Sequence, residues 1–238
     1  PGSYDCSCDT GFTQNTPIVY VAGALQQPPT VNKDIVHADS YGRAHLAVLV
    51  DGSVIAWGPD QIPEVINGVA GITDAAMVAQ VDRTAVVVHQ DGTVTQVTSL
   101  PITSMPNAPT LPASPIVQLS GGRRDFCARH ADGNITMWGW TQNLPWVTHN
   151  FHNIPAAVIA GDVVDLDCAE FTAIALMADG SIHTWGQMYG NGAFATPAPA
   201  GLTGVVDVAA GSDNFAALRS DGTVETWGNT IAFTALNI

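Results

Sequence analysis

The chain has 238 residues, a formal charge of −14 at pH 7, seven Lys and Arg together, 46% apolar residues and 12% charged ones. So few cations argue against a nucleic-acid partner, because binding of that kind rests on neutralising phosphates. No apolar run approaches the about 18 residues of a membrane span, and the apolar share suffices for a large core.

In chain order the first feature is Pro1-Gly2-Ser3-Tyr4-Asp5-Cys6-Ser7-Cys8-Asp9-Thr10-Gly11-Phe12. It resembles the second half of an EGF-like module, in which the pattern G-S-Y-x-C-x-C-x-x-G-F carries two disulfide-forming cysteines. The resemblance implies an extracellular setting and a segment of a longer multidomain protein. Residues 1–16 are assigned to this partial EGF-like segment and linker, and 17–238 to the domain that follows. Cys6 and Cys8 have too little chain between them to be natural partners. Their pairing stays open between a former module, Cys127 and Cys168, and a subunit boundary.

Residues 18–23, Ile18-Val19-Tyr20-Val21-Ala22-Gly23, form a lone apolar strand that resembles the strand ending in Trp-Gly elsewhere. Five units follow, marked by Asp51-Gly52, Asp91-Gly92, Asp132-Gly133, Asp179-Gly180 and Asp221-Gly222, at steps of 40, 41, 47 and 42 residues. A period of that size means a propeller, a solenoid or an array. The last unit is the clearest copy: Val205 to Gly211, Asn214 to Ser220, the Asp-Gly pair, then Thr223 to Gly228. Each piece reads as a short strand, with polar and apolar residues alternating toward Trp227. Small residues at Ala209 to Gly211 suggest crowded backbones. Asp-Gly between such runs predicts a tight type I′ hairpin.

The units opening at Ile35, Ile116 and Val163 repeat the pattern through Trp57-Gly58, Trp138-Gly139 and Trp185-Gly186. Ala75 to Thr98 is a degenerate copy with Val97-Thr98 in place of Trp-Gly. Four Trp at one repeat position predict a structural ring packed between neighbouring blades. The pattern V-x-x-(V/L)-x-(A/C)-(G/A)…(F/H)-x-A…D-G-x-(V/I)-x-x-W-G, with the tail Trp185-Gly186-Gln187-Met188-Tyr189-Gly190-Asn191-Gly192, resembles the regulator-of-chromosome-condensation repeat. The period and Pro-containing linkers look more like the secreted β-lactamase inhibitor branch. The resemblance implies an all-β β-propeller of about six blades: five full units, and one built from the chain ends or completed by a neighbouring chain. It is specific for fold and weak for function.

Cys127 and Cys168 fall on strands of adjacent units, where a bridge or two buried thiols are both open. Asn134-Ile135-Thr136 is a glycosylation sequon beside a turn. Trp140 and Trp146 lie in the longest inter-unit step, and with Tyr189 and Phe194 they make a candidate protein-binding face. His149 and His152 lie three apart without acidic or cysteine partners nearby in sequence, so no metal site is assigned. No residue pair joins a nucleophile to a base, no cofactor is expected, and the chain is read as a non-enzyme. The last residues, with Ile231, Phe233 and Leu236, supply one further strand. The leading expectation is an extracellular structural subunit that assembles with copies of itself through the end strands Ile18, Val19, Tyr20, Val21 and 231–236. The alternative is a monomeric propeller that binds or inhibits a protein partner through the aromatic loops.

Overall fold

A computed structural model of the chain describes residues 33–100, 105, 107–139, 152–187 and 195–228. The fold is that of a β-propeller, and five three-stranded antiparallel sheets, the blades, are described. Blade 1 is β1 (Ile35–Tyr41), β2 (Ala44–Leu49) and β3 (Val54–Trp57), and blade 2 is β4 (Ala75–Val81), β5 (Thr84–His89) and β6 (Val94–Thr98). Between them lies the short helix α1 (Pro63–Val69), with Pro63 in its first turn. Blade 3 is β7 (Ile116–Gly121), β8 (Asp125–His130) and β9 (Ile135–Gly139), followed by α2 (Ala156–Ala160). Blade 4 is β10 (Val163–Ala169), β11 (Thr172–Met177) and β12 (Ile182–Gly186), and blade 5 is β13 (Val205–Ala210), β14 (Asn214–Arg219) and β15 (Val224–Gly228). In every blade the middle strand pairs with both others.

The Asp-Gly hairpins differ from the type I′ expectation. Phe171 is the non-glycine residue with positive φ among those described, so the turn aspartates have ordinary backbones and only Gly52, Gly92, Gly133, Gly180 and Gly222 take φ between +78 and +85°. In the first hairpin Gly52 N donates to Leu49 O and Leu49 N to Ser53 O, and the other four repeat this pair of bonds. Three residues therefore span each turn, as in a type I turn closed by a left-handed glycine, which suits the strand twist equally well. The aspartate faces back onto the chain: Asp91, for example, accepts from Thr93 N at 2.9 Å and from Thr93 Oγ1 at 2.6 Å.

The glycine of Trp-Gly has a separate reason. Gly186 has φ +97°, and a Cβ there would stand 2.0 Å from the Phe171 carbonyl oxygen. Gly58, Gly139 and Gly228 share both the positive φ and the close carbonyl. Only glycine meets both demands.

The first strand of every blade has a register break at its second residue, Val36, Ala76, Val117, Val164 or Val206. Such a bulge re-aims the side chains that follow it. Four of the five bulged residues are valines exposed by 44 to 55%.

The chain divides into two compact units, Pro1–Thr110 and Leu111–Ile238. The boundary falls in the Ser- and Pro-containing linker between blades 2 and 3.

Candidate functional site

Within each unit, consecutive blades join in one way. The forward face of a blade carries alternate residues of its middle and outer strands. In blade 1 these are Leu46, Val48, Val54 and Ala56, which pack against Val78, Ala85 and Val87 of blade 2, with Val65 and Val69 of α1 completing the cluster. Blade 3 offers Cys127, Ile135 and Met137 to Leu166, Cys168, Ala173, Ala175 and Trp185 of blade 4. Blade 4 offers Ile174, Leu176 and Ile182 to Val208, Ala210, Phe215, Ala217 and Trp227 of blade 5. Trp185 and Trp227 thus face the preceding blade, and Trp227 also donates its indole N–H to Thr196 O at 3.1 Å.

A hydrogen-bonded seam runs beside these apolar contacts. The bulge turns the third and fifth residues of one first strand toward the backbone N–H groups of the next. His37 Nδ1 accepts from Val78 N at 3.3 Å, and Asp39 from Gln80 N at 2.7 Å. Gln118 Oε1 accepts from Leu166 N at 3.1 Å, Asp165 from Val208 N at 2.7 Å, and Asp167 from Ala210 N at 2.7 Å. Ser120 Oγ donates to Asp167 at 2.5 Å. First strands of adjacent blades would otherwise leave unpaired edge donors, each costing about 1–3 kcal/mol when buried. Burial pushes the His37 imidazole down to about 4, so it is neutral at pH 7 and free to accept. In blade 2 the same two positions hold Met77 and Ala79, which accept nothing.

Cys127 and Cys168 are joined by a disulfide across the blade 3–blade 4 junction, with Cα atoms 6.3 Å apart. The bridge links a forward-face residue to the sixth position of the next first strand. Arg123 and Glu170 form an ion pair of 2.7 Å across the same junction.

The forward face of blade 5 differs. Its residues match those of blade 4 position for position: Ala216 for Ile174, Leu218 for Leu176, Val224 for Ile182. Ile174 and Leu176 are 0 and 4% exposed, whereas Leu218 is 36% and Val224 61% exposed. Asp207, at the place of Asp165, Ala209 and Thr226 are exposed on the same sheet. Ala209 is thus open, contrary to the crowding expected for residues 209–211, while Ala210 is buried against blade 4.

Asn134 is exposed and directly follows its turn. Trp140, Trp146, Tyr189, Phe194, Ile18, Val19, Tyr20, Val21, Ile231, Phe233, Leu236, Cys6 and Cys8 lie outside the described residues. His152 approaches the fully buried Asp125 at 3.3 Å; its neighbour in the sequence reading, His149, lies outside the described residues. Among the described residues no three His, Cys, Asp or Glu side chains group as metal ligands, and no helix is long and apolar enough to cross a membrane. His89 is held by Asp74 and Thr95, and His130 by Ser114 O and Thr136. Hydrogen bonds from Thr93, Ser181 and Thr223 hold Asp91, Asp179 and Asp221 below the usual carboxylate range, and Lys33 and Ser53 bring Asp51 to about 2. The seam and the open face were not found in the sequence. Aligning the third and fifth residues of the five first strands would have exposed the acceptor pattern.

Residues 205–230, spanning blade 5, match the model of the regulator of chromosome condensation (RCC1) repeat. No curated protein sequence matches the chain. Among solved structures, the entire ectodomain of the Physcomitrella patens receptor kinase CR4 superposes with a TM-score of 0.68 at 13% identity, covering 87% of this chain and 55% of that one. The CRINKLY WD40 ectodomain of the Arabidopsis thaliana receptor kinase ACR4 gives 0.58 at 16% identity, covering 85 and 66%. Prp20p of Saccharomyces cerevisiae, studied with its binding to Gsp1p and histones, gives 0.59 at 16%, covering 82 and 57%. The chain spans between 55 and 66% of the length of these structures. Similarity at this level establishes the shared fold.

Proposed function

We propose that this chain, which carries RCC1-type repeats on a β-propeller fold, is a non-enzymatic extracellular structural subunit that associates with copies of itself through the forward face of blade 5. The observation that carries the reading is the exposure of Leu218 and Val224 at positions whose counterparts in blade 4 are sealed or half-buried. Contiguous exposed apolar surface on a sheet marks an interaction site. A blade face meeting a different surface of the next copy is a heterologous contact, which propagates rather than closing a dimer.

The extracellular part of the reading draws on the Cys127–Cys168 bridge, since disulfides form and persist in oxidising compartments. The exposed Asn134 sequon suits a secretory route. The net charge of −14 repels like copies, so association is expected to strengthen as added salt screens it. No reaction and no cofactor enter the proposal, because the described histidines with resolved partners are tied into strands and turns.

Sedimentation velocity of the full chain over a hundredfold concentration range, with negative-stain microscopy of the same samples, tests it. Growing polymers or filaments are expected. A monomer at every concentration overturns the reading.

A further inference from the structure

Blades 3 to 5, all within the unit Leu111–Ile238, carry apolar side chains that the fold does not require. Their bulged residues Val117, Val164 and Val206 are exposed by 44, 44 and 55%. Thr has the same branched shape and serves a strand equally well, so neither the bulge nor the strand calls for an apolar side chain there. The three stand on neighbouring strands. Cα atoms of β7 and β10, and of β10 and β13, approach within 8 Å, and Gln118 Nε2 donates to Asp165 at 2.6 Å across the first of these gaps.

The same end is acidic. Each first strand begins beside an Asp-Gly turn, since Ile116, Val163 and Val205 pair with His130, Met177 and Arg219, the residues that close those turns. Asp132, Asp179 and Asp221 in the turns, and Asp162 just before β10, are exposed. Hydrogen bonds from Asn134, Ser181 and Thr223 hold the three turn carboxyls below the usual carboxylate range, so they are charged at neutral pH. Two cations share this end: Arg129, whose Nε donates to Gln118 Oε1 at 3.0 Å, and Arg219. Between α2 and the Asp179-Gly180 turn, a cleft of about 250 Å³ is lined by Gly161, Asp162, Met177, Asp179, Ser181 and His183 among others. It joins carboxylates to a methionine side chain, a lining that suits the charged head and aliphatic stem of Lys or Arg.

The sequence restricts what can bring that complement. All seven Lys and Arg fall within the described residues, so none of the segments outside them carries such a cation. A second copy brings the same charge of −14. We propose that this end of blades 3 to 5 docks a basic, amphipathic segment of a different protein, whose apolar side chains cover Val117, Val164 and Val206 while a Lys or Arg head enters the cleft between Asp162 and Asp179. This surface lies apart from the forward face of blade 5, so it adds a partner to the self-association reading and does not depend on it. Apolar contact supplies affinity, and the carboxylates steer the encounter and select the charge.

The full chain is titrated into a fluorescein-labelled amphipathic peptide of leucine and lysine, with anisotropy as the readout. Saturable binding that weakens as salt rises is expected, with no binding of the same peptide carrying glutamate for lysine or serine for leucine. Val117→Thr, Val164→Thr and Val206→Thr together should weaken binding about tenfold, and Asp162→Asn should weaken it less and reduce its salt dependence. These positions are exposed, and an unshifted melting temperature checks that the fold is kept. Absence of binding, equal binding of either control peptide, or an affinity unchanged by the triple substitution overturns the inference. Loss of binding in Leu218→Ala alone overturns it as well, by moving the peptide to the blade 5 face, and sedimentation of the unmixed chain reads self-association separately.

Discussion

The forward faces of blades 4 and 5 are the same surface in two situations. Both present an aliphatic residue from the middle strand opposite another from the outer strand, and both carry an aspartate at the third position of the first strand. On blade 4 the next blade covers Ile174 completely and Asp165 accepts Val208 N. On blade 5 Leu218 and Val224 meet solvent. The difference teaches that residue chemistry alone does not separate a core position from an interface position in a repeat fold. Context along the chain decides, and a surface retaining core-like residues without a cover is a candidate for covering by another molecule.

The largest effect should come from the sealed side. Replacing both Cys127 and Cys168 with Ala opens a bridge whose ends are 41 residues apart, with an expected loss near 4 kcal/mol in the chain-entropy model; chemical denaturation of the oxidised parent and the variant measures it. Equal stability of the two would mean that the junction is held by packing alone. Next, Ile174→Ala should cost about 3 kcal/mol through the transfer of its side chain and the void left behind, read as a fall in melting temperature.

The seam gives a third comparison, in acid. His37 is depressed to about 4 by burial and has an ordinary value of 6.5, so above pH 6.5 both folded and unfolded chains hold it neutral and it adds no pH dependence. Between pH 6.5 and about 4 the unfolded chain takes up the proton first and stability falls, by up to roughly 3 kcal/mol, then levels off. His37→Gln, which supplies the acceptor that Gln118 supplies in blade 3, should flatten this part of the profile. An unchanged profile would remove His37 from the seam. The smallest stability change should be that of Leu218→Ala, under about 0.5 kcal/mol as for other exposed positions, yet it should weaken assembly in sedimentation. A change in stability as large as that of Ile174→Ala would show that blade 5 is covered within the single chain.

Much of the scaffold was legible because its constraints fall on fixed residue types. Asp-Gly marked the hairpin between the middle and outer strands of each described blade, and Trp-Gly marked four of the five outer strands because Gly58, Gly139, Gly186 and Gly228 sit where a side chain would strike a carbonyl. The hairpin type was misread because the same dipeptide serves two loops of different length. The residue before Asp, such as Val50 or Ser220, decides between them by joining the turn. The seam was hidden because His, Gln and Asp accept a hydrogen bond equally well at the third position, so function is shared without a shared letter. The open face was hidden for the opposite reason: Leu218 looks like Leu176. The aromatic candidates Trp140, Trp146, Tyr189 and Phe194 were picked for breaking the repeat, which is a signal of difference and carries no information on what they touch.

The seam also has a direction. In each of its backbone N–H bonds the acceptor belongs to the earlier blade and the N–H to the later one, whereas the Ser120 hydroxyl donates forward to Asp167. During vectorial synthesis, then, His37 and Asp39 emerge before Val78 and Gln80, and Asp165 and Asp167 before Val208 and Ala210. Each newly made strand finds its template already waiting, so blades can be added one at a time without a search for partners not yet made.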